Sequence, residues 1–167
     1  MKYADARSQI KTGDMLLWSA AHGGGLRAII EHWIVRHGTA SPYTHVGLAW
    51  VDNGRVWVMD ITTKGCAPRL LSEDLPCYWS PAPRQLSEEA LHFAFSCFGK
   101  WKYSRWQAIL GALKRLMVGA DAKGQCAEYA LACWRIDDTM PTDTATPAAC
   151  GAGALDVWQS SIQEIRV

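Results

Sequence analysis

The chain has 167 residues, of which 49% are hydrophobic and 20% charged, and its formal net charge is +1. That length and balance exclude a disordered chain and predict one folded domain over residues 1–167 with a substantial core. No Lys/Arg block or basic half appears, so nothing in the charge calls for nucleic acid as a partner.

The N-terminal stretch MKYADARSQIKTGDML carries charges where a secretory signal needs an apolar run. No later run reaches the ~18 apolar residues of a membrane span. The expectation is a soluble protein, cytoplasmic or exported by a route without a signal peptide, such as a phage or secretion-system route. KTGDMLLWS then reads as a strand entered through Gly13, and LRAIIEHWIVRH has helical apolar spacing that Gly38 stops.

The stretch THVGLAWVDNGRVWVMD alternates on both sides of Asp52-Asn53-Gly54, the signal for a β-hairpin. His45 and Asp60 fall on its two paired strands. APRLLS and the segment from Cys77 to Trp79 read as short strands bounded by Pro68, Pro76, Pro81 and Pro83, after which the sheet is expected to end. Ser87-Glu88-Glu89 opens a helix with a cap and two first-turn acids, carried by LHFAFSCF as far as Gly99. From Ser104 to Val118, Trp106, Ile109, Leu110, Leu113, Leu116 and Met117 form an apolar stripe of helical period. Such a stripe is ordinarily core; a membrane-surface role is the less favoured reading. GQCAEYALACWR is a short helix starting just after Gly124, and Thr146-Pro147 opens a last helical segment.

The six cysteines, at 66, 77, 97, 126, 133 and 150, form no CxxC pair and read mostly as free thiols. His32 and His37 are five apart, and no Cys/His cluster has zinc spacing, so no metal site is expected. Cys126 differs from the others in position. A cysteine in a helix's first turn meets the positive end of the helix dipole and unpaired N–H groups, conditions that favour a thiolate. The alternative for Cys126 is a small buried hydrophobe, the better reading for Cys97 and Cys133. A histidine on one strand, an acid on the next and a cysteine opening a helix supply the base, orienter and nucleophile of a thiol hydrolase.

In chain order, TGDMLLW, THVGLAW, VMDITTKG, FGKWKYS and QCAEYALACW, with a proline near the end, resemble the circularly permuted branch of the NlpC-type papain-like cysteine hydrolases. That branch includes YiiX-like and lecithin:retinol acyltransferase-like proteins, and its histidine strand precedes its cysteine helix. The resemblance implies an α+β fold of permuted papain-like type, a small antiparallel sheet packed against helices. It implies Cys126 as nucleophile, His45 as general base and then acid, and Asp60 as the residue orienting the imidazole, where YiiX-like members often carry glutamate. Tyr103 matches a tyrosine that lines the family's site as a substrate-binding residue, and packing under a loop is its alternative. Glu128 reads as a helix-terminus acid rather than a catalytic one. The implied reaction is amide cleavage through a thioester acyl-enzyme, with a peptide or peptidoglycan fragment as the favoured substrate and no cofactor required. A lipid-directed thioesterase or acyltransferase and a non-catalytic binding module on the same fold remain open.

Overall fold

The computed structural model describes residues 1–19, 42–103 and 123–167, with only the backbone described for Tyr103, Lys123 and Gly124. The elements in chain order are α1 (Tyr3–Ala6), β1 (Met15–Trp18), β2 (His45–Asp52), β3 (Arg55–Thr62), β4 (Gly65–Leu70), a 3-10 turn (Leu71–Glu73) and β5 (Cys77–Ser80). They continue with α2 (Glu88–Ser96), β6 (Lys102–Tyr103), β7 (Lys123–Gly124), α3 (Cys126–Ile136), α4 (Pro147–Asp156) and β8 (Gln163–Ile165). The helix expected at LRAIIEHWIVRH, with His32 and His37, and the stripe from Ser104 to Val118 lie outside the described residues.

Among the described residues six strands form one sheet in the order β4-β3-β2-β1-β5-β8, with antiparallel ladders throughout. The class is therefore α+β, as the alternating and helical patterns predict. The β2–β3 hairpin turns at Asn53 and Gly54, both at positive φ (47° and 70°), the geometry a two-residue turn needs to match the strand twist. Pro68 sits in β4, the outermost strand on its side, where a missing N–H interrupts least.

The sheet does not end at β5 as expected. Residues Gln163 to Ile165 return to pair with Cys77 to Trp79 and add a sixth strand. A second small ladder joins β6 to β7 in parallel and brings Tyr103 beside Gly124. The Asp14 carboxylate fixes the entry to β1. It is 2% exposed and accepts from the Lys11 and Ala82 N–H groups and from Trp79 Nε1 at 2.8 to 2.9 Å.

Alternation divides the sheet's side chains between two cores. Met15, Leu17, Val46, Leu48, Met59 and Ile61 pack with α2, α3 and α4. Leu16, Trp18, Ala49, Val56, Val58, Leu71, Cys77, Trp79 and Ile165 form the second core with α1. The helices start where their caps say. Ser87 Oγ accepts from Ala90 N–H, and Thr146 Oγ1 accepts from Ala149 N–H ahead of Pro147, each cap stabilising its helix by about 1 kcal/mol. The consequence for function is that α3 lies against the sheet with its first residue, Cys126, close to the first residue of β2, His45.

Candidate active site

Four adjacent strands place four side chains on one face of the sheet. Trp18, the last residue of β1, lies directly opposite His45. In the next ladder Leu48 pairs with Met59 and Ala49 with Val58, a register that sets Gly47 across from Asp60 and puts Asp60 diagonal to His45. Asp60 pairs with Ala67 and Val58 with Arg69, so Arg69 is in turn diagonal to Asp60. The row Trp18, His45, Asp60, Arg69 thus crosses β1 to β4 without a break.

Gly47 makes the middle of that row possible. A Cβ there would lie 3.0 Å from Val58 Cγ1 and 3.2 Å from Asp60 Cβ, closer than ordinary packing. Without it the Asp60 side chain has room beside β2, and Asp60 Oδ2 meets His45 Nε2 at 2.6 Å. An ionised carboxylate only accepts, so Nε2 carries a proton and Nδ1 is the ring nitrogen left for the sulfur. The His45 side chain keeps 19% exposure, whereas Asp60 keeps 1%.

Asp60 has a second cation. Arg69 Nη2 donates to Oδ2 and Nε to Oδ1, the latter at 3.4 Å. The other guanidinium arm, Nη1, pairs with the Asp74 carboxylate beyond the 3-10 turn. The guanidinium carbon stands 5.1 Å from the centroid of the Trp18 ring, a cation–π distance, and Trp18 Nε1 donates to the Asp74 carbonyl oxygen at 2.8 Å. The Trp18 ring also flanks the imidazole, with centroids 5.5 Å apart.

Cys126 enters from α3. It is the first helical residue and is buried with 5% exposure, and its backbone N–H belongs to the first turn, where no intrahelical acceptor exists. Glu128 caps this end: its carboxylate accepts from the Gln125 N–H at 2.8 Å, as a helix-terminus acid should. Gln125 Nε2 donates to the Ala145 carbonyl oxygen at 2.6 Å and so ties the helix start to the loop before α4.

The charges in the row act on one another. Burial alone would lower the His45 imidazole, but the Cys126 sulfur and then the Asp60 carboxylate outweigh it and push it up to about 10. Burial alone would raise Asp60, yet His45 and then Arg69 hold its carboxyl below the ordinary carboxylate range. The other five thiols are all raised above the ordinary thiol value. Burial is the largest cause at each, pushing Cys66 and Cys77 up to about 12 and raising Cys97, Cys133 and Cys150. At Cys150 the Cys126 sulfur adds to that rise, so α4 brings a second sulfur near the first.

Of the sequence-predicted residues, the structure brings His45, Asp60 and Cys126 together. It sets the Tyr103 backbone next to Gly124, two residues before Cys126, while the Tyr103 side chain lies outside what is described. Trp18, Arg69 and Asp74 were not among the sequence candidates. Among the described residues no group of three or more His, Cys, Asp or Glu side chains could hold a metal ion. Nor is any described helix long and apolar enough to cross a membrane.

No protein-family model matches the chain, and no curated protein matches it significantly. Among solved structures it is similar to the metalloprotein yiiX from Escherichia coli O157:H7, at 15% identity and a TM-score of 0.47, over 81% of this chain and 69% of that one. A likeness of that degree assigns no chemistry, and the site stands on its own geometry.

Proposed function

We propose that the protein is a cysteine hydrolase that cleaves an amide through a thioester acyl-enzyme, with Cys126 as nucleophile, His45 as the proton carrier and Asp60 as its orienter. The observation that carries this reading is a single imidazole held by a buried carboxylate on one side and acted on by a helix-opening cysteine on the other.

An imidazole pushed up to about 10 holds its proton at neutral pH, so the resting site is read as an imidazolium facing the sulfur. Cys126 Sγ attacks the substrate carbonyl carbon, and the π pair moves to oxygen. The Cys126 N–H then donates to that oxyanion, a role that its place as the first helical residue supports. When the tetrahedral species collapses, the C–N bond breaks and His45 gives its proton to the departing nitrogen. The imidazole, now neutral, takes a proton from water as the oxygen attacks the thioester. A carboxylic acid leaves, and the sulfur and imidazolium are restored. Asp60 accepts from Nε2–H throughout and keeps Nδ1 directed at the chemistry.

The substrate class put forward is a peptide amide of peptidoglycan, supported by the order of the sequence motifs. On this reading residues 1–167 form the domain that carries the activity and Tyr103 is a substrate contact, which the pairing of its backbone with Gly124 supports. The test is turnover of peptidoglycan fragments, read as new amino and carboxyl termini, by wild type and by Cys126→Ala and His45→Ala. The expected result is activity that either substitution abolishes. If acyl thioesters or lipid amides turn over with the same dependence while peptidoglycan is untouched, the mechanism stands with a different acyl donor. Full activity in Cys126→Ala would sink it.

A further inference from the structure

We infer that Arg69 is a positioning residue for this site: held between Asp60 and Asp74 and laid over Trp18, it keeps the Asp60 carboxylate ionised and aimed at His45 Nε2 while the imidazole gains and loses its proton. The inference rests on the cysteine-hydrolase reading above.

The argument begins with burial. Asp60 is 1% exposed, and a carboxylate so removed from water takes up a proton unless a cation faces it. His45 supplies a cation only for part of the cycle. Once it has protonated the leaving group it is neutral, and Asp60 alone with a neutral imidazole has no countercharge from that side. A protonated Asp60 would also become a hydrogen-bond donor. Nε2 would then accept, the ring proton would move to Nδ1, and the nitrogen facing the thioester could no longer take a proton from water.

Arg69 removes both problems because a guanidinium stays charged at any working pH. Its two donors to Asp60 fix the carboxylate plane, and Oδ2 accepts from both His45 and Arg69. Asp74 and the Trp18 ring hold the guanidinium from its other sides, and the Trp18 hydrogen bond to the Asp74 carbonyl fixes that turn. Among the described residues the groups acting on Asp60 are His45 from β2, with Cys126 of α3 acting on it; Arg69 and Cys66 from β4; and Asp74 through Arg69.

The test follows Cys126 alkylation by iodoacetamide in the full chain between about pH 4 and 9, with peptide mapping, in wild type, Arg69→Leu, Arg69→Lys and Asp74→Asn. Loss of the guanidinium should let Asp60 protonate at higher pH and move the acid limb of the profile up by about one pH unit or more, close to a tenfold slower reaction on that limb. Arg69→Lys should restore most of the limb, since the charge remains, while staying a few-fold slow because the bidentate fork is lost. Asp74→Asn should move the limb the same way by less. An unshifted limb in a folded Arg69→Leu protein, or a lysine variant no better than leucine, overturns the inference and leaves Arg69 a structural ion pair. Should Arg69→Leu fail to fold, Asp74→Asn decides, and an unchanged limb there overturns it. The two readings separate cleanly. Slow wild-type labelling of Cys126, or labelling indifferent to His45→Ala, defeats the hydrolase reading itself; fast, His45-dependent labelling with a limb insensitive to residue 69 defeats only the role of Arg69.

Discussion

Cys126 and Cys133 are two turns apart on α3 and point to the same side of one helix, yet they meet different surroundings. Cys133 is fully buried near Cys66, Cys97 and the Tyr129 hydroxyl, where burial and neighbouring sulfurs keep its proton on. Cys126 stands at the helix's first residue against an imidazole backed by a carboxylate. Residue type and helix face are shared. On the proposed reading, what separates a reactive thiol from a packing one is a place in the helix's first turn and the His45–Asp60 pair met there.

The sharpest way to break that contrast is to remove each sulfur in turn. Cys126→Ala should lower turnover by at least about a thousandfold with the fold intact, because a whole chemical role is gone. Cys133→Ala should leave turnover within a few-fold and cost about 1 kcal/mol of stability through the small void it opens. Thermal melts beside the assay of the same two variants give both numbers. Equal losses of activity would put the two cysteines back in one class.

His45→Ala should come next in size. It removes the proposed proton carrier, and Cys126 should then alkylate no faster than an ordinary exposed thiol. In the wild type, brief iodoacetamide treatment near neutral pH should label Cys126 before the five thiols that burial raises. Fastest labelling at Cys66 or Cys150 would contradict the contrast directly.

Much of this site is legible in the sequence, and the part that is not has a physical reason. Alternation around Asp52-Asn53-Gly54 places His45 and Asp60 on paired strands, and the helical pattern after Gly124 places Cys126 at a helix start. Each reads locally, within one hairpin or one turn. Arg69 does not, because its role depends on the register of β4 against β3 and on Asp74, which comes from a turn with no pattern of its own. The strand β8 is hidden for a similar reason. Three residues with one buried side chain leave too little alternation to see, and their pairing with Cys77 to Trp79 is fixed by tertiary closure across the chain. Gly47 is visible as a letter, but its need follows only from how close Val58 and Asp60 approach.

Asp60→Asn should have an intermediate effect. The shape is kept while the charge that holds Nε2–H and pairs with Arg69 is lost, and turnover should fall by about a hundredfold, less than for either partner in the chemistry. A pH series sharpens it. Asp60 is held below its ordinary value in the fold, so its contribution to stability is present above the unfolded carboxyl range, about pH 4, and fades as pH falls through the lower folded value. The gap in melting temperature between wild type and Asp60→Asn should therefore be widest near neutral pH and narrow on acidification. A gap that widens with acid would mean that Asp60 is not the ionised partner.

The smallest effect tests the packing that lets the row form. Gly47→Ala adds one methyl where Asp60 Cβ would lie 3.2 Å away and Val58 Cγ1 3.0 Å, so both neighbours must yield by a few tenths of an ångström. Val58 belongs to the second core and has little freedom, which leaves Asp60 to move away from His45. The expected result is a loss of about 1 kcal/mol in stability together with a turnover a few-fold lower. Its kinetic signature should be a partial copy of Asp60→Asn: kcat falls, KM holds, and Cys126 alkylation slows in the same proportion as turnover. A stability loss with both rates unchanged would show that Asp60 keeps its place by Arg69 and His45 alone, and that the glycine serves only the closeness of β2 and β3.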